Sequence, residues 1–181
     1  VRGDAEAVAL TQESSTHYYQ RPDADHIDFD TTRTSLSGYT AALALEKKAG
    51  RHWVWEVVGA VESPGLELND AGVLQSGDDI DATAEIVYRE NAPGRIFHRY
   101  EFGVSSENAW NFGGVRRNTA LGAWTSLTWP NFWNVFVDLY GSARARSDDL
   151  TRGGPLMGTL ASLSGEVSIN KRVVPAASAF S

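Results

Sequence analysis

Apolar and polar side chains alternate with period two through six or seven successive segments of this chain, the spacing of a strand that keeps one face in an apolar environment. Between Arg51 and Glu62, the residues Trp53, Trp55, Val57, Gly59 and Val61 share one face, and His52, Glu56 and Glu62 share the other. From Phe132 to Arg146 the odd positions read Trp133, Val135, Val137, Leu139, Gly141, Ala143 and Ala145, against Asn134, Asp138, Ser142, Arg144 and Arg146. Parity inverts between Ile80 and Ser105: Ile80, Ala82, Ala84, Ile86 and Tyr88 oppose Asp81, Thr83, Glu85 and Arg89, then Tyr100, Phe102 and Val104 oppose Arg99 and Glu101. Weaker alternation marks residues 36–48, with Tyr39, Ala41, Leu43 and Leu45 outward, then 119–129 and 157–169. Half-apolar strands of this kind belong to antiparallel sheets, not to buried parallel ones.

Connections are expected to alternate strictly between short and long. Turn formers at 48–50, 91–93 and 129–131 mark the short ones, and 63–79, 106–118 and 147–156 the long ones. The pattern predicts an all-β, antiparallel, up-and-down β-barrel of about eight strands, of outer-membrane type or a segment of a larger barrel. Three-residue turns would set Glu85 across from Arg99 and Glu46 across from His52 on the polar face. One domain is expected over 1–181, with an N-terminal strand and acidic loop in 1–35, the meander in 36–169 and an irregular tail in 170–181.

Composition narrows the function classes. The absence of cysteine removes disulfide scaffolds and Cys-based zinc sites. Mean hydropathy of -0.29 comes without any stretch approaching the roughly 20 apolar residues of a membrane helix, so contact with lipid falls to strands. A net charge of -7 and a pI near 5.0 speak against a nucleic-acid surface. The sequence opens with neither Met nor a signal peptide, which reads as a mature product or a fragment of a longer precursor.

Several stretches then resemble one family. Ser-Thr-His-Tyr-Tyr-Gln-Arg-Pro-Asp-Ala-Asp-His at 15–26, Thr-Arg-Thr-Ser-Leu-Ser-Gly-Tyr at 32–39, Ser-Pro-Gly-Leu-Glu-Leu-Asn-Asp at 63–70, Trp-Asn-Phe-Gly-Gly at 110–114 and Thr-Arg-Gly-Gly-Pro-Leu-Met at 151–157 are similar to the C-terminal barrel region of large Gram-negative surface proteins. In that family, a domain of unknown function, the barrel follows a module similar to family-9 carbohydrate-binding domains. The resemblance implies an outer-membrane barrel within a longer chain, linked to glycan or nutrient handling, and carries over no catalytic residue. The family's barrel region is longer than this chain, and the carbohydrate-binding-like module has no counterpart here.

Candidate chemistry is sparse. Asp23, Asp25, His26, Asp28 and Asp30 crowd hard ligands that could hold Ca2+, though without EF-hand spacing, and a solvated acidic loop is the plain alternative. If the protein is an enzyme, Glu85, Glu101, Asp138 and Glu56 on the polar face would supply the acid and base of a glycoside hydrolase. With Arg89, Arg99 and Arg144 they equally make the lining of a wet lumen, so catalysis is not the leading expectation. No Gly-x-Ser-x-Gly occurs. Trp110, expected in a long loop, joins Arg99 and Arg144 as candidate ligand contacts, whereas Trp129 and Trp133 flank a tight turn and fit an interfacial girdle. Trp124, sharing a face with Ser126 and Thr128, should point inward. The expected partners are a lipid bilayer or detergent and a polar solute or glycan, at the outer membrane of a Gram-negative bacterium. The alternative is a soluble secreted barrel or sandwich that binds or hydrolyses carbohydrate.

Overall fold

The computed structural model describes residues 1–21, 25–68, 77–147 and 158–171, with 144–147 and 158–160 described by backbone alone. It is one antiparallel sheet of seven strands in the order of the chain: β1 (Thr40–Lys47), β2 (Trp53–Glu62), β3 (Asp79–Glu90), β4 (Arg99–Trp110), β5 (Arg116–Thr128), β6 (Trp133–Ser147) and β7 (Gly158–Lys171). The up-and-down antiparallel meander is as expected, with seven strands among the described residues where about eight were expected. Among the described residues β1 and β7 each pair with one neighbour, so the sheet is open. Strands β2 to β7 reach the length of about 9–11 residues that a tilted strand needs to cross a bilayer. Among the described residues no helix is long and apolar enough to cross a membrane, which says nothing of strands.

Backbone pairing carries the face assignment from strand to strand. Trp55 lies opposite Ile86, Ile86 opposite Val104, Val104 opposite Ala123 and Ala123 opposite Leu139. The polar faces align in the same way, but with different partners from those expected. Glu46 opposes Glu56, which opposes Glu85, which opposes Ser105, while Arg89 opposes Glu101. The connections 48–52 and 91–98 are longer than three-residue turns, and the resulting slip is an even number of residues. Partners therefore change while every side chain keeps its face.

One expected loop and one expected strand pattern are also corrected. β4 runs to Trp110 and β5 starts at Arg116, so the expected long connection over 106–118 shrinks to 111–115 and strict short-long alternation fails at this point. Asn111 closes the connection itself, its Oδ1 accepting from the Val115 N–H at 2.8 Å and its backbone N–H donating to the Val115 carbonyl at 3.0 Å. In β6 the register shifts between Ser142 and Ala145, so simple alternation stops holding there.

The N-terminal segment is a helix and loops where a strand was expected. α1 (Ala5–Glu13) starts at Asp4, whose side chain accepts from the Ala7 N–H at 2.8 Å, and continues through residues with good helix propensity and no period-two pattern. One turn apart, Val8 and Gln12 are buried together. Val8 packs with Tyr19 and Leu36, with Ile27 alongside, and Gln12 holds the backbone of Asp30 through both ends of its amide. Arg2 meets Ser35 in an isolated bridge. The segment is seated where β1 begins, β2 ends, β3 begins and β4 turns into β5. This is the opposite end of the sheet from the short turns.

Candidate functional site

The two faces of the sheet differ in chemistry more than in exposure. Leu43 is 65% exposed, Leu121 63%, Leu139 57% and Leu163 84%, and Trp53, Trp55, Val57, Ile86, Phe102, Val104, Val167 and Ile169 lie exposed on the same face. Among the described residues the substantial contacts between elements are those of successive strands, and these side chains stay open to solvent. Buried hydrophobics are few, and Val8, Tyr19, Leu36 and Leu66 belong to the N-terminal segment and the loop it touches, not to the sheet.

The other face is polar and largely anionic. Two like-charged side chains directly opposite one another repel, and the Glu46, Glu56 and Glu85 row is relieved at its two ends. Lys48 Nζ sits 2.7 Å from Glu46, and the Trp124 indole N–H donates to Glu85 at 2.8 Å. Trp124 reaches across β4 at Gly103, where an added Cβ would lie 2.2 Å from the indole nitrogen, so only glycine lets the ring lie flat. Phe136 flanks the ring at 6.0 Å between centroids. Further along the face, the Tyr140 hydroxyl donates to Glu107 at 2.9 Å, and Asn134 donates to Ser126, Thr128 and the Leu127 carbonyl. A cavity of about 330 Å³ between Glu56, Glu85, Ser105 and Glu107 opens on this wall.

The expected candidates divide as follows. Glu56 and Glu85 are brought face to face on adjacent strands; Glu101 is held by Arg99 at 2.6 Å, and Asp138 sits opposite Trp124 on one side and Glu166 on the other. Trp110 is not in a loop. It ends β4 opposite Ile80 on the apolar face, away from the polar wall, because β4 extends further than its weakening alternation suggested. Arg144 falls at the β6 irregularity, and its side chain is outside the described residues. Asp23 also lies outside them. Among the described residues no group of three His, Asp or Glu is placed to hold a metal. His26 instead turns to Asp78, and Asp30 accepts from the Thr32 N–H and hydroxyl, which hold its carboxyl below the usual range.

The residues that sequence reasoning missed cluster at the capped end. Asp78 is 1% exposed, has φ 63°, and binds Arg21 and His26 of the N-terminal segment while accepting from the Phe112 N–H at 3.0 Å. One carboxylate thus ties three separate parts of the chain. The His26 ring lies against Gly113, where a Cβ would come within 2.4 Å of its Nδ1. His17 is buried, its Nε2 donating to the Leu66 carbonyl at 3.0 Å while Nδ1 faces the Ser14 and Thr16 hydroxyls. Burial lowers its pKa, with Glu67 at 3.7 Å and the Leu66 carbonyl acting in the opposite direction. The Tyr19 hydroxyl donates to the Pro64 carbonyl, and burial raises its pKa. The only sequence signal for this cluster was the density of His and Asp near 23–30.

Fold and faces together define an all-β antiparallel meander with one apolar and one acidic surface. Set against known proteins, the chain matches no family model, no curated protein and no solved structure.

Proposed function

We propose that this chain forms part of an outer-membrane-type β-barrel, with its apolar face against lipid and its acidic face lining a wet interior or mouth that admits or binds a polar solute or glycan. The observation that carries the reading is the uncovered apolar face, from Leu43 to Leu163, on strands that are polar behind. Contiguous apolar surface on this scale is rare on soluble monomers. In a membrane barrel, alternate residues face lipid and lumen, short turns face the periplasm and longer loops the exterior. The capped end, which carries the long connection 63–78, then points outward. The resemblance to barrel regions of Gram-negative surface proteins favours the same assignment.

The polar wall suits hydrated or hydroxyl-rich solutes. Glu56, Glu85 and Glu107 are acceptors, Tyr140 and Trp124 offer rings on which a sugar face can stack, and Asn134 supplies amide chemistry. The test compares Val57→Arg, on the apolar face, with Ser105→Arg, on the polar face, by urea titration of the chain folded into phosphatidylcholine vesicles. Val57→Arg should cost about 2–4 kcal/mol if the site is near mid-bilayer, and Ser105→Arg far less. A monodisperse, β-rich protein without detergent that tolerates Val57→Arg would refute the membrane reading and favour a secreted glycan-binding or glycan-cleaving protein.

A further inference from the structure

The polar wall carries charges of both signs that the sheet itself leaves unmatched. Register sets Glu46, Glu56 and Glu85 side by side across β1, β2 and β3, and like charges placed directly opposite one another are destabilising. Glu46 is compensated by Lys48 at 2.7 Å, and Glu85 accepts the Trp124 indole N–H on Oε1. Glu56, between them, is exposed and makes no ion pair or side-chain hydrogen bond among the described residues.

The unmatched cation is Arg89, on the same face of β3 as Glu85. Register sets it opposite Glu101, but Glu101 is held by Arg99 at 2.6 Å. Arg89 bends toward the β1–β2 connection instead, where Nη2 donates to the Lys48 and Gly50 carbonyls at 3.4 and 3.3 Å. Those carbonyls fix the guanidinium without neutralising it, and no carboxylate pairs with it among the described residues. Its Nε is shielded from solvent with no acceptor, an arrangement that native structures rarely leave standing. Val54 and Val87 lie opposite one another between the glutamate row and this cation, an apolar floor in the middle of the polar face, with Val87 buried. A cavity of about 250 Å³ stands over that floor, lined by Glu56, Glu85, Val54, Val87, Lys48 and Arg89.

We infer that this cavity binds a small zwitterion of amino-acid size, its ammonium between Glu56 and Glu85, its carboxylate on Arg89 and its hydrocarbon over Val54 and Val87. The inference rests on the reading of the polar wall as the solute-binding face and names the solute; it does not depend on the bilayer. An ammonium has three donors, enough to bridge two carboxylates, and supplies the counter-ion that the glutamate row lacks. The guanidinium has five N–H donors, so some remain for a carboxylate after the two carbonyls are served, and charge-assisted bonds of this kind are the strong ones. A simple cation would be drawn to the glutamates but repelled by Arg89 and Lys48, and a simple anion would meet the reverse. A neutral sugar would leave both sets of charges unmatched. The volume lies below that of sites for drug-sized ligands, which keeps the solute small.

The test titrates the full chain, folded in detergent, with 4-aminobutyrate and with butylamine and butyrate as the matched cation and anion, read by saturation-transfer NMR at low salt. 4-Aminobutyrate should bind about tenfold more tightly than either. Arg89→Gln should bring it down to the level of butylamine, and Glu56→Gln toward that of butyrate, with far-ultraviolet dichroism confirming that each variant is folded. Arg89→Lys, which keeps the charge, should retain most of the preference, and Arg33→Gln, in the N-terminal segment, should leave it unchanged. Equal binding of butylamine and 4-aminobutyrate would overturn the inference and leave the wall a plain cation surface. Binding of maltotriose but of none of the three small probes would overturn it while sparing the solute-binding reading, and binding of neither class would remove that reading as well. A preference for 4-aminobutyrate that persists in a β-rich chain monodisperse without detergent would uphold the inference and remove the membrane reading.

Discussion

Asp78→Ala tests whether the capped end is one cooperative unit. The carboxylate is 1% exposed and faces the Arg21 guanidinium, itself 2% exposed at the side chain, together with the His26 Nε2 at 2.9 Å. Withdrawing one partner of such a buried pair costs about 3–5 kcal/mol, because the remaining charge stays out of water without its counter-ion. The Phe112 N–H loses its acceptor as well, and the two losses overlap because they share one carboxylate. The penalty is comparable to the whole stability of a small unit, so the N-terminal segment should open while the sheet persists. Hydrogen exchange on the folded chain would show this directly. Amides of α1 and of the turns at 17–21 should lose protection, and those in the middle of β3, β4 and β5 should keep it. Asp78→Asn should be milder, since Asn tolerates the left-handed backbone and can still accept from Phe112. Unchanged protection of α1 in Asp78→Ala would refute the reasoning, and uniform loss across the sheet would show that the cap and strands are not separable.

Two further predictions concern other positions. Gly103→Ala places a Cβ against the Trp124 indole, so the ring must tilt away from Glu85; about 1–3 kcal/mol should be lost and the near-ultraviolet dichroism of the tryptophans should change, whereas Glu85→Gln, which keeps an acceptor, should leave that signal nearly intact. His17 has its pKa lowered from 6.5 by burial, so the opened segment binds the proton more readily than the closed one. The cap should therefore keep its full stability above about pH 6.5 and lose it progressively as the pH falls below that value, down to the folded pKa. Exchange of α1 at pH 5 and pH 7.5 would reveal the step, His17→Gln should flatten it, and a cap that tightens on acidification would contradict the sign.

Alternation alone placed most strand residues on a face, up to the irregularity after Ser142 in β6. Alternation is a property of consecutive Cβ atoms, so Trp55, Val57 and Leu139 could be assigned to one side before any strand partner was known, and Trp124 to the other. It also indicated an antiparallel meander, because each alternating run ended in turn formers. Register was beyond it. The partner of Glu85 depends on how many residues each turn consumes, and a slip by an even number alters every cross-strand pair while leaving the faces untouched. Only the tertiary structure placed Trp110 at a strand end, laid Trp124 over Gly103, and replaced an expected N-terminal strand with a capped helix. The Asp78 tie was equally out of reach, since Arg21, His26 and Phe112 are far from it along the chain and meet it only when the segment before β1 folds back onto the ends of β2 and β4.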